Sequence, residues 1–141
     1  MPAAPLNDED DGTIASDAQL WRNIPPYHIV EDKNQGGKRI SKAAFDDHPD
    51  GSAMSVTLGD EVIALGRDPS SVIAHLQGFY LASVTAALAR SLAQGVVRRP
   101  LPEEPAHAEV FGKKTEGVRR KFAREAVWVI SPECNSADQG N

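Results

Sequence analysis

From Met54 to Leu58 the chain alternates Met54, Val56 and Leu58 with Ser55 and Thr57. Period two puts three large apolar side chains on one face of a strand and two hydroxyls on the other. Such a strand needs partners beside it and a layer over its greasy face, so the run commits the chain to a sheet-containing core. Gly59-Asp60 follows, then Glu61-Val62-Ile63-Ala64-Leu65. Gly at the first central position suits a type II′ turn, and the sequence predicts a β-hairpin of residues 54–58 and 61–65. Upstream, Asp46-Asp47-His48-Pro49-Asp50-Gly51 packs three carboxylates and an imidazole into six residues. Asp-Gly is a turn signal, and Pro49 pushes His48 toward an extended conformation. Ile40, Ala43, Ala44 and Phe45 read either as a short helix capped by Ser41 or as an edge strand.

The remaining segments are short and well punctuated. Leu20 to Ile24 reads as a helical turn or a strand, ended by Pro25-Pro26. Tyr27 to Val30 reads as a strand, and Glu31 to Lys38 as a loop. Asp68 is a helix N-cap and Pro69 a first helical residue, with Val72, Ile73 and Leu76 giving a short amphipathic helix. Leu81, Val84, Leu88 and Leu92 recur at helical spacing, with Gly95 in the C′ position, so residues 79–94 read as a central helix packed on the sheet. A strand over residues 79–84 followed by a shorter helix is the alternative. Three prolines make residues 95–105 an extended connector. His107 to Phe111 alternates as a strand. Thr115 caps a helix over 116–125, where Glu116–Arg120 and Lys121–Glu125 are pairs one turn apart. Val127 to Ile130 reads as a fully buried final strand.

Length bounds the architecture. A chain of 141 residues suits one domain with a real core. The expectation is a single α+β domain over residues 18–130. It comprises a mainly antiparallel sheet of four to six strands against two or three helices. Residues 1–17 are expected to be a disordered acidic tail and residues 131–141 a polar tail. Cys134 is the only cysteine, so no internal disulfide forms. No apolar run approaches a membrane span, and the N-terminus carries no signal-peptide pattern. A soluble, cytoplasmic protein of bacterial type is the default expectation. The net charge of −5 hides an uneven distribution. All 15 Lys and Arg lie in residues 18–130 against 13 acidic residues, for a formal charge of +2. A nearly neutral body with acidic ends does not advertise nucleic-acid binding.

Several residues carry candidate chemistry. Asp46 and His48 are donors a divalent cation would accept, but the alternating oxygens and distant Glu of a calcium loop are absent; the bland reading is a solvated acidic turn. His107 and Glu109 lie two apart on a strand, so they emerge from one face, as an acid–base pair or as a polar surface. His28 and His48 are possible companions, and His75 reads as structural or exposed. The basic cluster Lys113, Lys114, Arg119, Arg120, Lys121 and Arg124 is the main concentration of charge. Lys113, Lys114 and a helix N-terminus would converge on an anion, or the cluster is a solvated face balanced by Glu116 and Glu125. No aromatic residues interleave as a base-stacking platform requires. Ser41, Ser52 and Ser55 lack a nucleophile-elbow motif.

Two resemblances add to this. The segments L-W-R-N-I-P-P, R-I-S-K-A-A-F, M-S-V and P-L-P-E-E-P-A-H-A-E-V-F-G resemble patterns of small uncharacterised bacterial proteins, over residues 18–130, and imply no mechanism. The order Arg22, Ser55, Glu109 resembles the Arg–Ser–Glu order of one ADP-ribosyltransferase class. That class also uses a Ser-Thr-Ser-type segment and a Gln/Glu-x-Glu pair, where this chain has Ser55-Val56-Thr57 and His107-Ala108-Glu109. The resemblance implies NAD as cofactor, with Arg22 as ligand clamp, Ser55 as cofactor-positioning residue and Glu109 as catalytic carboxylate. The leading expectation is a binding or accessory module without a cofactor. It would take a protein partner or anionic ligand at Lys113, Lys114, Arg119 and Arg120 and at the His48 and His107 region. The alternatives are the NAD-using transferase and a metal-assisted hydrolase built on Asp46, His48 and His107.

Overall fold

The computed structural model describes residues 10–32 and 36–132. Its elements are β1 (Gln19–Ile24), β2 (Ile29–Glu31), β3 (Lys38–Ile40), β4 (Met54–Leu58), α1 (Gly59–Ala64), β5 (Tyr80–Thr85), α2 (Ala86–Ser91), β6 (Gly95–Arg98), β7 (His107–Phe111), α3 (Glu116–Glu125) and β8 (Val127–Ile130). The alternating run is β4, and it lies inside a six-stranded sheet of order β6-β7-β4-β1-β5-β8. Every neighbouring pair in that sheet is antiparallel. Strands β2 and β3 form a separate two-stranded ribbon. With three α-helices, this is an α+β domain of the expected kind.

Alternation does what the sequence requires of it. Met54, Val56 and Leu58 are buried, as are Ala108 and Val110 beside them on β7. Short 3-10 turns serve as connectors. Ser41 caps the one at Lys42–Ala44 by accepting from the Ala43 amide at 3.2 Å. This turn packs on α3, where the rings of Phe45 and Phe122 stack with centroids 5.6 Å apart, both fully buried. Thr115 caps α3 through the Val118 amide, and Glu116–Arg120 and Lys121–Glu125 pair along it. Asp68 and Pro69 open a helix as expected, but a 3-10 one over Pro69–Ile73.

Several sequence expectations are corrected. The second arm of the proposed hairpin is α1, and β4 pairs instead with β1 and β7. Gly59 does not adopt a positive φ; a Cβ there would lie 2.3 Å from the Trp21 indole. The glycine serves close approach, not a turn. The central helix over 79–94 is really β5 followed by α2, the alternative reading. Thr85 ends the strand and caps the helix, accepting from the Leu88 amide at 3.1 Å. The left-handed residue after α2 is Ala93, φ 63°. Gly95 opens edge strand β6, where a Cβ would meet the Phe111 ring at 2.2 Å.

Strand β8 is an edge strand, not a fully buried one, and Val127 is 66% exposed. The open readings at the start of the domain resolve into strand β1, a 3-10 turn at Pro26–His28 and strand β2. Within the expected N-terminal tail, residues 10–17 have defined partners. Ile14 is in the core, the Asp11 amide donates to the Val96 carbonyl at 2.7 Å, and the Asp10 carboxylate accepts from the Val96 amide at 2.9 Å. Residues 1–9 and 133–141, with Cys134, lie outside the described residues. Among the described residues, no helix is long and apolar enough to cross a membrane.

Candidate functional site

The acidic turn is built as its composition demands, with its carboxylates bonded to the turn itself and, through Asp47, to Met54 and Lys114. The His48 amide donates to the Ser52 carbonyl, the Gly51 amide donates to the His48 carbonyl, and Gly51 takes φ 94°. Asp50 accepts from the Ser52 amide and hydroxyl, and these bonds hold its carboxyl below the usual range. Asp47 Oδ1 accepts from the Met54 amide at 3.1 Å and from Lys114 Nζ at 3.0 Å. Asp46 Oδ1 accepts from the Asp47 amide at 2.8 Å. Among the described residues no three His, Cys, Asp or Glu side chains gather to hold a metal. Asp46 and His48 point to different partners.

Arg22 and Lys114 anchor this turn from the core side. Trp21 pairs with Thr57, so by alternation Arg22 and Ser55 project from opposite faces of the sheet. The β1–β4 pairing joins Leu20 to Leu58 and Trp21 to Thr57, and just beyond it Arg22 Nη1 donates to the Ser55 carbonyl at 2.7 Å. Its Nε donates to the Ala44 carbonyl at 2.8 Å and Nη2 to the Asp46 carbonyl at 3.4 Å. Burial pushes the guanidinium down to about 10, opposed by Asp46 and Asp47. The Lys114 side chain is only 2% exposed and donates to the Val110 and Gly112 carbonyls as well as to Asp47. Its ammonium is also lowered by burial, against the pull of Asp47. Both cations are fasteners, and Lys114 is turned away from the anion seat expected for it beside Lys113.

On the outer face the expected polar residues do meet. Ser55 and Glu109 are direct cross-strand partners, as are Thr57 and His107. His48 Nε2 lies 3.0 Å from Ser55 Oγ. Arg99 Nε lies 3.4 Å from Glu109 Oε1, and His107 Nδ1 lies 2.8 Å from the Arg99 carbonyl. A carbonyl only accepts, so the neutral His107 ring is the Nδ1–H tautomer. A cavity of about 370 Å³ adjoins the strip, lined by Asp47, Ser52, Glu109 and Phe111 among others. His75 is exposed. His28 lies on the core side, where burial and the nearby Arg22 charge lower its imidazole, and its Nδ1 has no partner.

The basic residues distribute differently from the expected cluster. Arg119 Nε turns back to the Lys114 carbonyl at 3.3 Å, and Lys113 stands exposed. Arg120 instead joins Arg124 from α3, with Arg39, Ser41 and Lys42 from the β3 side, around a cleft of about 600 Å³. Ile40, Ala123 and Asp32 complete its wall. Glu116 Oε2 accepts from Lys42 Nζ at 2.8 Å and also from Arg120 Nη2. Its carboxyl is held below the usual range, first by the Lys42 bond. Arg39 and Arg124 have no carboxylate partner among the described residues. Sequence reasoning missed Arg39 and Lys42; the one local signal was Ser41, whose capping role sets Lys42 in the turn facing α3.

What fold and site define is a six-stranded antiparallel α+β domain with a basic cleft at the ribbon–α3 junction and a polar strip on β4 and β7. Comparison of the chain with protein-family models, with curated proteins and with solved structures finds no match.

Proposed function

We propose that this domain is a binding module for a ligand bearing clustered negative charge, seated in the cleft between β3, its following 3-10 turn and α3. The observation that carries the reading is the convergence of Arg39, Lys42, Arg120 and Arg124 on one concavity. In a body of formal charge +2, four cations around one cleft are a local concentration rather than a general bias. Guanidinium groups present planar forks that match carboxylate and phosphate oxygens, and two of these have no carboxylate partner among the described residues. Among the described residues no aromatic side chain lines the cleft, so stacking on a nucleobase has no platform there. The test is thermal denaturation with tripolyphosphate and, at equal ionic strength, with spermine. Tripolyphosphate should raise the melting temperature of the wild type, and the double variant Arg39→Glu, Arg124→Glu should lose that shift. Equal shifts in both proteins, or a larger one with spermine, would refute the reading.

An enzymatic reading has one specific observation in its favour, the His48–Ser55 contact beside cross-strand Glu109. In an NAD-using transferase, Glu109 would be the catalytic carboxylate and Ser55 would position the cofactor. Arg22 lies on the opposite face of the sheet, bonded to backbone carbonyls, so this reading goes forward without it as a clamp. NAD should raise the melting temperature of the wild type and not of Glu109→Gln; absence of any NAD effect removes this alternative.

A further inference from the structure

We infer that the cleft's ligand is a compact phosphate or diphosphate, and that Glu116 occupies its seat in the free protein. This rests on the anion-binding reading above. Lys42 and Arg120 reach the same oxygen, Glu116 Oε2, from two different elements. An acceptor shared between two cations marks the point where the cleft's field is already satisfied by an oxyanion, here one supplied by the chain itself.

The arrangement constrains the ligand's charge. A ligand with one carboxylate would exchange like for like at Lys42 and Arg120 and would still lose its translational freedom on binding. It has little to gain. A phosphate group has more charge and three terminal oxygens, so it can replace Glu116 and also engage Arg39 or Arg124, which have no carboxylate partner among the described residues. The volume of about 600 Å³ suits a small molecule.

Displacement is easy. Glu116 and Arg120 are each 55% exposed and Lys42 40%. Ion pairs this wet contribute little. Glu116 can swing into water while Thr115 keeps the α3 cap. The carboxylate is therefore a placeholder that sets a threshold: it admits multiply charged oxyanions and turns away single carboxylates.

Isothermal titration of inorganic pyrophosphate and of acetate into the full chain tests this, using wild type, Glu116→Gln and Glu125→Gln. Glu125 lies on the same helix and pairs with Lys121, which does not line the cleft, whereas Glu116 pairs with two residues that do, so Glu125 controls for loss of one charge. Wild type should bind pyrophosphate and not acetate. Glu116→Gln should bind pyrophosphate up to about fivefold tighter, the gain expected when an exposed competing ion pair is removed, and Glu125→Gln should match wild type. Pyrophosphate binding that is unchanged or weaker in Glu116→Gln, or equally tightened in Glu125→Gln, would overturn the placeholder while leaving the cleft a binding site. Acetate binding as tight as pyrophosphate would overturn the ligand class. No pyrophosphate binding by any of the three proteins would overturn the anion-binding reading itself.

Discussion

Arg22 is where a functional and a structural role separate most sharply. A guanidinium spread over three backbone carbonyls is a strut between β1, the acidic turn and β4. Arg22→Met should destabilise by about 3 kcal/mol, because partly buried carbonyls lose charged donors. Arg22→Lys should not restore stability, since one ammonium cannot span the fork. Urea denaturation measures both, and unchanged midpoints would contradict the role of strut. Arg67 and Glu104 form the other well-made pair, with two contacts at 2.6 and 2.8 Å. The Arg67 hydrogen bonds hold the Glu104 carboxyl below its ordinary range. A depressed carboxyl stabilises fully above its unfolded value of about 4.3 and loses that contribution as pH falls through the folded one. Glu104→Gln should therefore cost about 2 kcal/mol at neutral pH and progressively less as the pH falls below the ordinary carboxyl range. A cost independent of pH would contradict the assignment.

At the scale of elements, what could be read from the chain was whatever depended on local spacing. Helix α3 was legible because Thr115, the salt-bridge pairs and Phe122 all lie within one segment. The face shared by Ser55 and Glu109 was legible in part, since each strand's alternation is local, although their pairing is not. The run after Phe79 misled because β5 buries Leu81, Ala82 and Val84 on both faces. Without period two, such a strand cannot be told from a helix by spacing. Gly59 misled because its reason is Trp21, far away in the sequence. The basic cleft was invisible for the same reason, as Arg39 and Arg124 meet only once the ribbon packs beside α3. Glycines separate these cases experimentally. Gly59→Ala should cost several kcal/mol, because the Trp21 ring blocks the new methyl. Gly117→Ala, within α3 and meeting nothing nearer than Thr115 Oγ1 at 3.9 Å, should stabilise by about 0.5–1 kcal/mol. Thermal melts that ranked the two the other way would contradict the fold at both places.

Considered whole, the molecule has a sheet whose two faces do different work. The core face is closed by α3 and the 3-10 turn through Phe45 and Phe122, and that closure forms the basic cleft at its margin. The outer face carries the strip from His48 to His107. The segment before β1 covers the β6 edge, with Asp10 and Asp11 engaging Val96, Arg90 and Arg98. Ile14 anchors it. Ile14→Ala should cost about 2–4 kcal/mol, as for other core truncations; a neutral outcome in urea denaturation would return this segment to the status of a tail. The account stands most directly on which face holds the anion. Titrating pyrophosphate into Arg120→Glu and, separately, into Ser55→Ala decides it. The cleft reading predicts at least tenfold weaker binding for Arg120→Glu and wild-type binding for Ser55→Ala, whereas loss in Ser55→Ala with retention in Arg120→Glu would move the site to the outer face.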